Sequence, residues 1–95
     1  MRREPKNIPS ENARGQYMSL SEYSLVLFND DYNKFEFVVE SLIDICRHDP
    51  IQAEQCTFIA HHKGKCDIKT GSLDILERMK SEFDIRGLST IICQN

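Results

Sequence analysis

Two short polar segments hold the residues whose types could do chemistry. Residues 29–32 read Asn-Asp-Asp-Tyr, and residues 61–65 read His-His-Lys-Gly-Lys. Carboxylate, amide and neutral imidazole groups all accept hydrogen bonds, so together they could hold a cationic donor. Taken singly, each segment also has an ordinary structural explanation. Acidic turns are common, and a histidine at a helix C-terminus often interacts with the last carbonyl groups.

The composition limits the function classes. The 95 residues fit one domain, 40% of them are hydrophobic and none is Trp, so we expect a small core and a binding groove rather than a large catalytic cleft. The net charge is −3, which argues against a general nucleic-acid binder. Residues 22–95 hold eight basic and thirteen acidic residues, a net charge of −5. An acidic body of this kind favours a cationic ligand.

The first half of the chain predicts a strand and two helices. Residues 23–28 form a compact apolar run that is typical of a strand and ends at turn-forming residues. Residues 34–47 have a helical apolar period, and Asn33 could cap that helix, with Glu36 completing a capping box. Asp49 and Pro50 then predict a second helix start. That helix should end before Gly64, with these residues facing inward: Ala53, Cys56, Ile59 and Ala60.

The second half predicts a weak strand over 65–69, a helix that Ser72 caps and Gly87 ends, and a last strand over 89–93. The order is therefore β-α-α-β-α-β. We predict an α+β fold over residues 22–95, in which three helices cover a small three-stranded antiparallel sheet. Residues 1–21 contain two prolines, several charges and no apolar period, so we expect a disordered, flexible N-terminal tail.

Four cysteines could in principle form disulfides, but no apolar signal-peptide region follows the first residues. No run approaches the roughly 18 apolar residues of a membrane span. We therefore expect a cytoplasmic protein with reduced thiols and no membrane partner.

Together, the polar segments and their neighbours resemble the ClpS family, the adaptors that bring N-end-rule substrates to the Clp unfoldase–protease. The resemblance runs from about residue 23 to residue 93. It is carried by residues 26–32 (Val-Leu-Phe-Asn-Asp-Asp-Tyr), 36–39 (Glu-Phe-Val-Val), 61–66 (His-His-Lys-Gly-Lys-Cys) and 91–93 (Ile-Ile-Cys). Because His61 follows Asp31 by thirty residues, with the motifs in the same order as in the family, the match is specific.

The resemblance implies an adaptor rather than an enzyme, with no cofactor. Its ligand would be a protein N-terminus with a bulky hydrophobic first residue, an N-degron. An ammonium group offers three donors and a positive charge, and positioned acceptors capture such groups. By the resemblance, Asn29, Asp30 and His61 would bind the amine. The hydrophobic pocket for the first side chain would be lined by Phe35, Val38, Thr57, Ala60 and Ile91.

The resemblance also implies partners and raises one question about selectivity. We expect a monomer that docks on the N-terminal domain of a Clp-type ATPase, with the tail engaged during hand-off. Phe35 stands where the family usually has a methionine, and Thr57 stands where it usually has an apolar residue. The choice of first residue is therefore less defined than the amine site.

Three alternatives remain open at this point. Cys56, His61, His62 and Cys66 cluster within eleven positions and could bind a metal, although no C-x₂-C pair is present. Hydrolase chemistry would need a nucleophile, and no serine or cysteine lies in a nucleophile elbow. A small protein–protein interaction module on a fold similar to the C-terminal domain of the ribosomal stalk protein would bind without amine recognition.

Overall fold

The secondary structure follows the predicted order β-α-α-β-α-β. The computed structural model describes residues 22–95, and the predicted tail over residues 1–21 lies outside the described residues. The elements are β1 (Tyr23–Phe28), α1 (Phe35–Cys46), α2 (Pro50–Lys63), β2 (Lys65–Gly71), α3 (Leu73–Ile85) and β3 (Thr90–Gln94). The predicted fold class is thereby confirmed.

The sheet has the strand order β2-β1-β3, and both pairings are antiparallel. As the central strand, β1 is the most apolar, and its residues 24–27 are all buried. Leu25 and Leu27 join the core together with Leu42 of α1 and with Leu76 and Phe83 of α3. Each fully buried side chain of this kind contributes about 1.5–3 kcal/mol relative to exposure.

One irregularity interrupts the pairing of β1 with β2. Leu25 lies opposite Lys69, but Val26 lies opposite Asp67, so Ile68 is the extra residue of a β-bulge. The buried His48 donates a hydrogen bond from Nε2 to the carbonyl oxygen of Ile68, at 2.7 Å. This bond connects the turn between α1 and α2 to the sheet.

The start of α1 differs from the predicted capping box. Lys34 occupies the N-cap position and makes no side-chain capping bond. The amide nitrogen of Asn33 instead donates to the carboxylate of Asp30 and to the carbonyl oxygen of Gly87. The prediction for Asn33 was wrong because these tertiary contacts use the side chain that would have capped the helix.

The start and end of α2 follow the prediction. The Asp49 side chain accepts a hydrogen bond from the backbone N–H of Gln52 at 2.9 Å, and Pro50 opens the helix. Gly64 ends it with φ of 94°, and its N–H donates to the carbonyl oxygen of Ala60.

The predicted inward face of α2 was only partly right. Residues 53, 57 and 60 form the buried stripe, as the 3.6-residue period requires. Cys56 is half-buried at its border, whereas Ile59 is 40% exposed. Ile59 was wrongly placed inward because its position lies roughly 200° around the helix from Thr57.

The end of α3 leads directly into the last strand. Gly87 has φ of 79°, and the N–H of Leu88 donates to the carbonyl oxygen of Phe83 at 2.9 Å. Such bonds turn the chain sharply after a helix and place the next apolar residue against it. Ser72 occupies the predicted N-cap position without a side-chain capping bond. Within residues 22–95, no helix has the length and apolar character needed to cross a membrane.

We expect the substitution Gly64→Ala to lower the free energy of unfolding by about 1–2 kcal/mol, because a side chain is strained at positive φ. An added Cβ would meet nothing within 4 Å, so the effect would come from the backbone alone. Gly71→Ala is the matched control, since it also has open space but no positive φ. Urea unfolding of both variants checks the prediction, and equal stabilities would contradict it.

Candidate functional site

Three turns of the chain meet at one end of the sheet. The N–H of Asn29, just after β1, donates to the carbonyl oxygen of Gly64 at 2.9 Å. The N–H of Phe28 donates to the carbonyl oxygen of Ser89 at 2.9 Å. These bonds bring the segment after β1 against both the end of α2 and the turn before β3.

The turn after β1 is organised by the carboxylate of Asp30. Oδ1 accepts hydrogen bonds from the backbone N–H groups of Tyr32, at 2.9 Å, and Asn33, at 2.7 Å. Oδ2 accepts a third bond, from Nδ2 of Asn33 at 2.9 Å. The same amide group reaches the carbonyl oxygen of Gly87 at 3.1 Å. Asp30 therefore fixes its own turn and, through Asn33, ties it to the turn before β3.

These hydrogen bonds stabilise the ionised form of the Asp30 side chain. Partial burial by itself would raise the pKa of the carboxyl group, but the hydrogen bonds from Asn33 and Tyr32 outweigh it, and the pKa is lowered. A carboxylate offers about four lone-pair sites. Three of them are used within the turn, so Asp30 retains a negative charge and little free acceptor capacity.

A cavity of about 280 Å³ opens between these turns and the first two helices. Its walls include seven of the eight side chains predicted from the sequence: Asn29, Asp30, Phe35, Val38, Thr57, Ala60 and His61. Leu27, Leu88 and Ala60 are buried and form its floor, whereas Asn29, Asp31 and His61 are exposed at its rim. The two segments that sequence analysis singled out thus border one cavity.

Ile91, the eighth predicted residue, does not line this cavity. Ile91 pairs with Val26 in the middle of the sheet and is 43% exposed, while its neighbour Ile92 packs against the core. Because side chains alternate across a strand, Ile91 points away from the helical layer. Leu88 lines the cavity instead. The sequence signal that could have found it is an apolar residue directly after the helix-ending glycine.

The other polar side chains of the cavity differ in whether they already make a hydrogen bond within the protein. Thr57 donates its hydroxyl proton to the carbonyl oxygen of Ala53 at 2.8 Å, so it brings no free donor to the cavity. The side chains of Asn29 and His61 make no hydrogen bond to any residue within 22–95. His61 lies edge-on to His62, with ring centroids 5.2 Å apart. Asn29 and His61 therefore have acceptor atoms available for a ligand.

The arrangement suits a ligand with one cationic donor group beside an apolar body. A carboxylate, an amide and an imidazole border the rim, and aliphatic and aromatic side chains form the walls below. Acceptors and negative charge stabilise a bound ammonium group, while the apolar walls gain from burying a side chain.

The cysteine and histidine residues considered as metal ligands lie in α2 and at the start of β2. No group of three His, Cys, Asp or Glu side chains there is placed to hold an ion. Burial, with a smaller effect from Cys56, raises the pKa of Cys66 to about 12, and burial raises that of Cys46 to about 11. Both thiols therefore stay protonated at neutral pH, and a thiol is a far weaker metal ligand or nucleophile than a thiolate.

We expect the pKa of Asp30 to lie below the ordinary value of 3.8 and to rise in the variant Asn33→Ala, which removes one of the three bonds. Because the folded-state pKa is lowered, the stabilisation from Asp30 is present above the unfolded-state pKa and is lost as the pH falls through the folded-state value. Carboxyl titration by NMR checks this. An unchanged pKa in the variant would contradict the assigned bond.

Comparison with known proteins gives the family. The sequence model of "ATP-dependent Clp protease adaptor protein ClpS" matches residues 18–86. The ClpS protein of Shewanella piezotolerans is 38% identical over 55 residues, which cover 58% of this chain and 54% of that protein. The ClpS protein of Acetivibrio thermocellus is 29% identical over 84 residues, 81% of this chain and 85% of that protein.

In the Shewanella matches the chain spans about half the length of the relative. Among solved structures, Agrobacterium tumefaciens ClpS2 bound to L-phenylalaninamide has the same fold. The TM-score is 0.75 at 24% sequence identity, over 80% of this chain and 99% of that one. The family model covers most of residues 22–95 and includes both polar segments that border the cavity. The chain is therefore a member of the ClpS family.

Proposed function

We propose that this chain is an adaptor that binds protein N-termini with a bulky hydrophobic first residue and delivers them to a Clp-type ATPase for degradation. One observation carries the proposal. Asn29, Asp30 and His61, from segments thirty residues apart, border the same cavity as the apolar side chains Phe35 and Val38. An amine site next to an apolar pocket is what a free chain start with a large first residue requires.

The three polar groups have different roles in this proposal. Asn29 Oδ1 and a ring nitrogen of neutral His61 accept hydrogen bonds from the ammonium group. Asp30 contributes its negative charge, since most of its acceptor capacity is used in its own turn. The nearby Asp31 also lines the cavity and adds negative charge. The site therefore favours a cation over a neutral amide.

The apolar part holds the first side chain. A volume of about 280 Å³ is just below the roughly 300–1,000 Å³ of typical small-molecule sites, so it suits a single side chain. Burying a leucine or phenylalanine side chain contributes about 1.5–3 kcal/mol, which separates it from a small first residue by tenfold or more. Phe35 lies at the entrance of the cavity and Thr57 lies in its wall. These two side chains therefore determine which large first residues bind most tightly.

The comparisons support this assignment of the ligand. L-phenylalaninamide, the ligand of the Agrobacterium tumefaciens protein, has a free α-amino group beside an aromatic side chain. Those are the two groups that the rim and the walls of this cavity would hold. The adaptor acts without catalysis, as a monomer. It docks on the N-terminal domain of the ATPase, in the cytoplasm where ATP drives the partner.

A peptide with a leading leucine or phenylalanine should bind, and acetylation of its terminal amine should weaken binding by more than tenfold. Acetylation removes the positive charge and two donors, and each charge-assisted hydrogen bond contributes about 1.5–3 kcal/mol. Calorimetry on matched free and acetylated peptides checks this. A leading alanine is the control for the apolar pocket. Equal affinity of the free and acetylated peptides would contradict the proposal and favour a general interaction module.

Binding of the free-amine peptide should weaken by about tenfold in the variant His61→Phe, which keeps a planar ring but has no hydrogen-bond acceptor. The variant His61→Gln keeps an acceptor and should bind more tightly than His61→Phe. His62→Phe is the matched control, because His62 does not line the cavity. Equal affinities of the wild type and His61→Phe in calorimetry would remove His61 from the site.

A further inference from the structure

A second apolar surface lies beside the cavity, on the outer side of α2. It is an open hollow of about 490 Å³ lined by Phe35, Glu54, Gln55, Phe58 and Ile59, here called the outer shelf. Phe58 is 56% exposed, and Ile59 and Phe35 are each 40% exposed. Single exposed apolar residues are ordinary, but three that share one hollow mark a contact surface.

The position of the outer shelf follows from the helical period. Thr57, Ala60 and His61 of α2 line the cavity, whereas Phe58 and Ile59 lie on the next faces of the same helix. At 3.6 residues per turn, Phe58 is displaced from Thr57 by roughly 100° around the axis. The helix thus presents one face to the cavity and the adjacent face to the outer shelf.

Phe35 connects the two hollows, because its ring lines both of them. A peptide bound at the cavity can therefore continue onto the outer shelf without losing contact with the protein. The ring of Phe58 also packs against the ring of His62, with ring centroids 4.0 Å apart. A side chain that already packs against a neighbour loses less conformational entropy when a ligand covers it.

We propose that the outer shelf binds an apolar side chain from the second or third residue of the same N-terminus whose first residue enters the cavity. This rests on the proposed function and deepens it, since it extends the recognised substrate beyond its first residue. An extended chain advances roughly 3.3–3.6 Å per residue, so the second and third residues are the first that can leave the cavity and meet the shelf that begins at Phe35. The shelf has a single charged residue, Glu54, which disfavours an acidic side chain there.

The test uses free-amine peptides with a fixed leading leucine or phenylalanine that carry leucine, alanine or aspartate at position two or three. We expect leucine to bind about three- to tenfold more tightly than alanine at one of these positions, and aspartate to bind most weakly. In the double variant Phe58→Ala, Ile59→Ala the leucine advantage should disappear, while the affinity for the alanine peptide stays within about twofold.

Ile51→Ala is the matched control. It removes an apolar side chain that is 69% exposed on the same helix but lines neither hollow, so the leucine advantage should persist. If the peptides bind with free-amine dependence but positions two and three have no effect, the shelf proposal is wrong and the adaptor proposal stands. If no peptide binds, the adaptor proposal itself fails.

Discussion

The hydrogen bond from the N–H of Asn29 to the carbonyl oxygen of Gly64 is the contact on which the site depends. It holds the end of β1 against the end of α2, and thereby brings Asn29 and His61 to the same cavity. That carbonyl is presented to Asn29 because Gly64 takes a positive φ that ends the helix. The Asn33 contacts with Asp30 and Gly87 add the third turn. A cavity assembled in this way depends on turn geometry more than on the packing of the core.

Much of the fold could be predicted because several residues define their elements locally. The apolar run of β1, the Asp49–Pro50 helix start and the glycines at 64 and 87 all acted as their chemistry predicts. Asn33 did not, because a side chain that can cap a helix can also bond to a distant carbonyl group. The inward face of α2 was ambiguous for a different reason. Ile59 is apolar, but the small residues of the true inward stripe allow α2 to approach the sheet closely.

In the candidate site, the polar residues were easier to predict from the sequence than the apolar wall. The two polar segments could be singled out from the sequence because their residue types are unusual and they lie at the ends of β1 and α2. The family resemblance then assigned Asn29, Asp30 and His61 within them. The apolar wall depends on which face of β3 points inward, and a shift of one residue reverses that face. The turn at Gly87 brings Leu88 to the cavity, and the strand then directs Ile91 outward. The sequence alone did not fix that register.

The sheet order has a consequence for synthesis of the chain. Among the strands of residues 22–95, β1 is made first, and because it lies between β2 and β3 its pairing is completed only by β3, at Thr90–Gln94. Leu88 and the turn at Gly87 lie directly before β3. Until this segment is made, the cavity lacks Leu88 from its floor, and Asn33 lacks the carbonyl group of Gly87 as a partner. The cavity therefore takes its folded form only after residues 87–94 have left the ribosome.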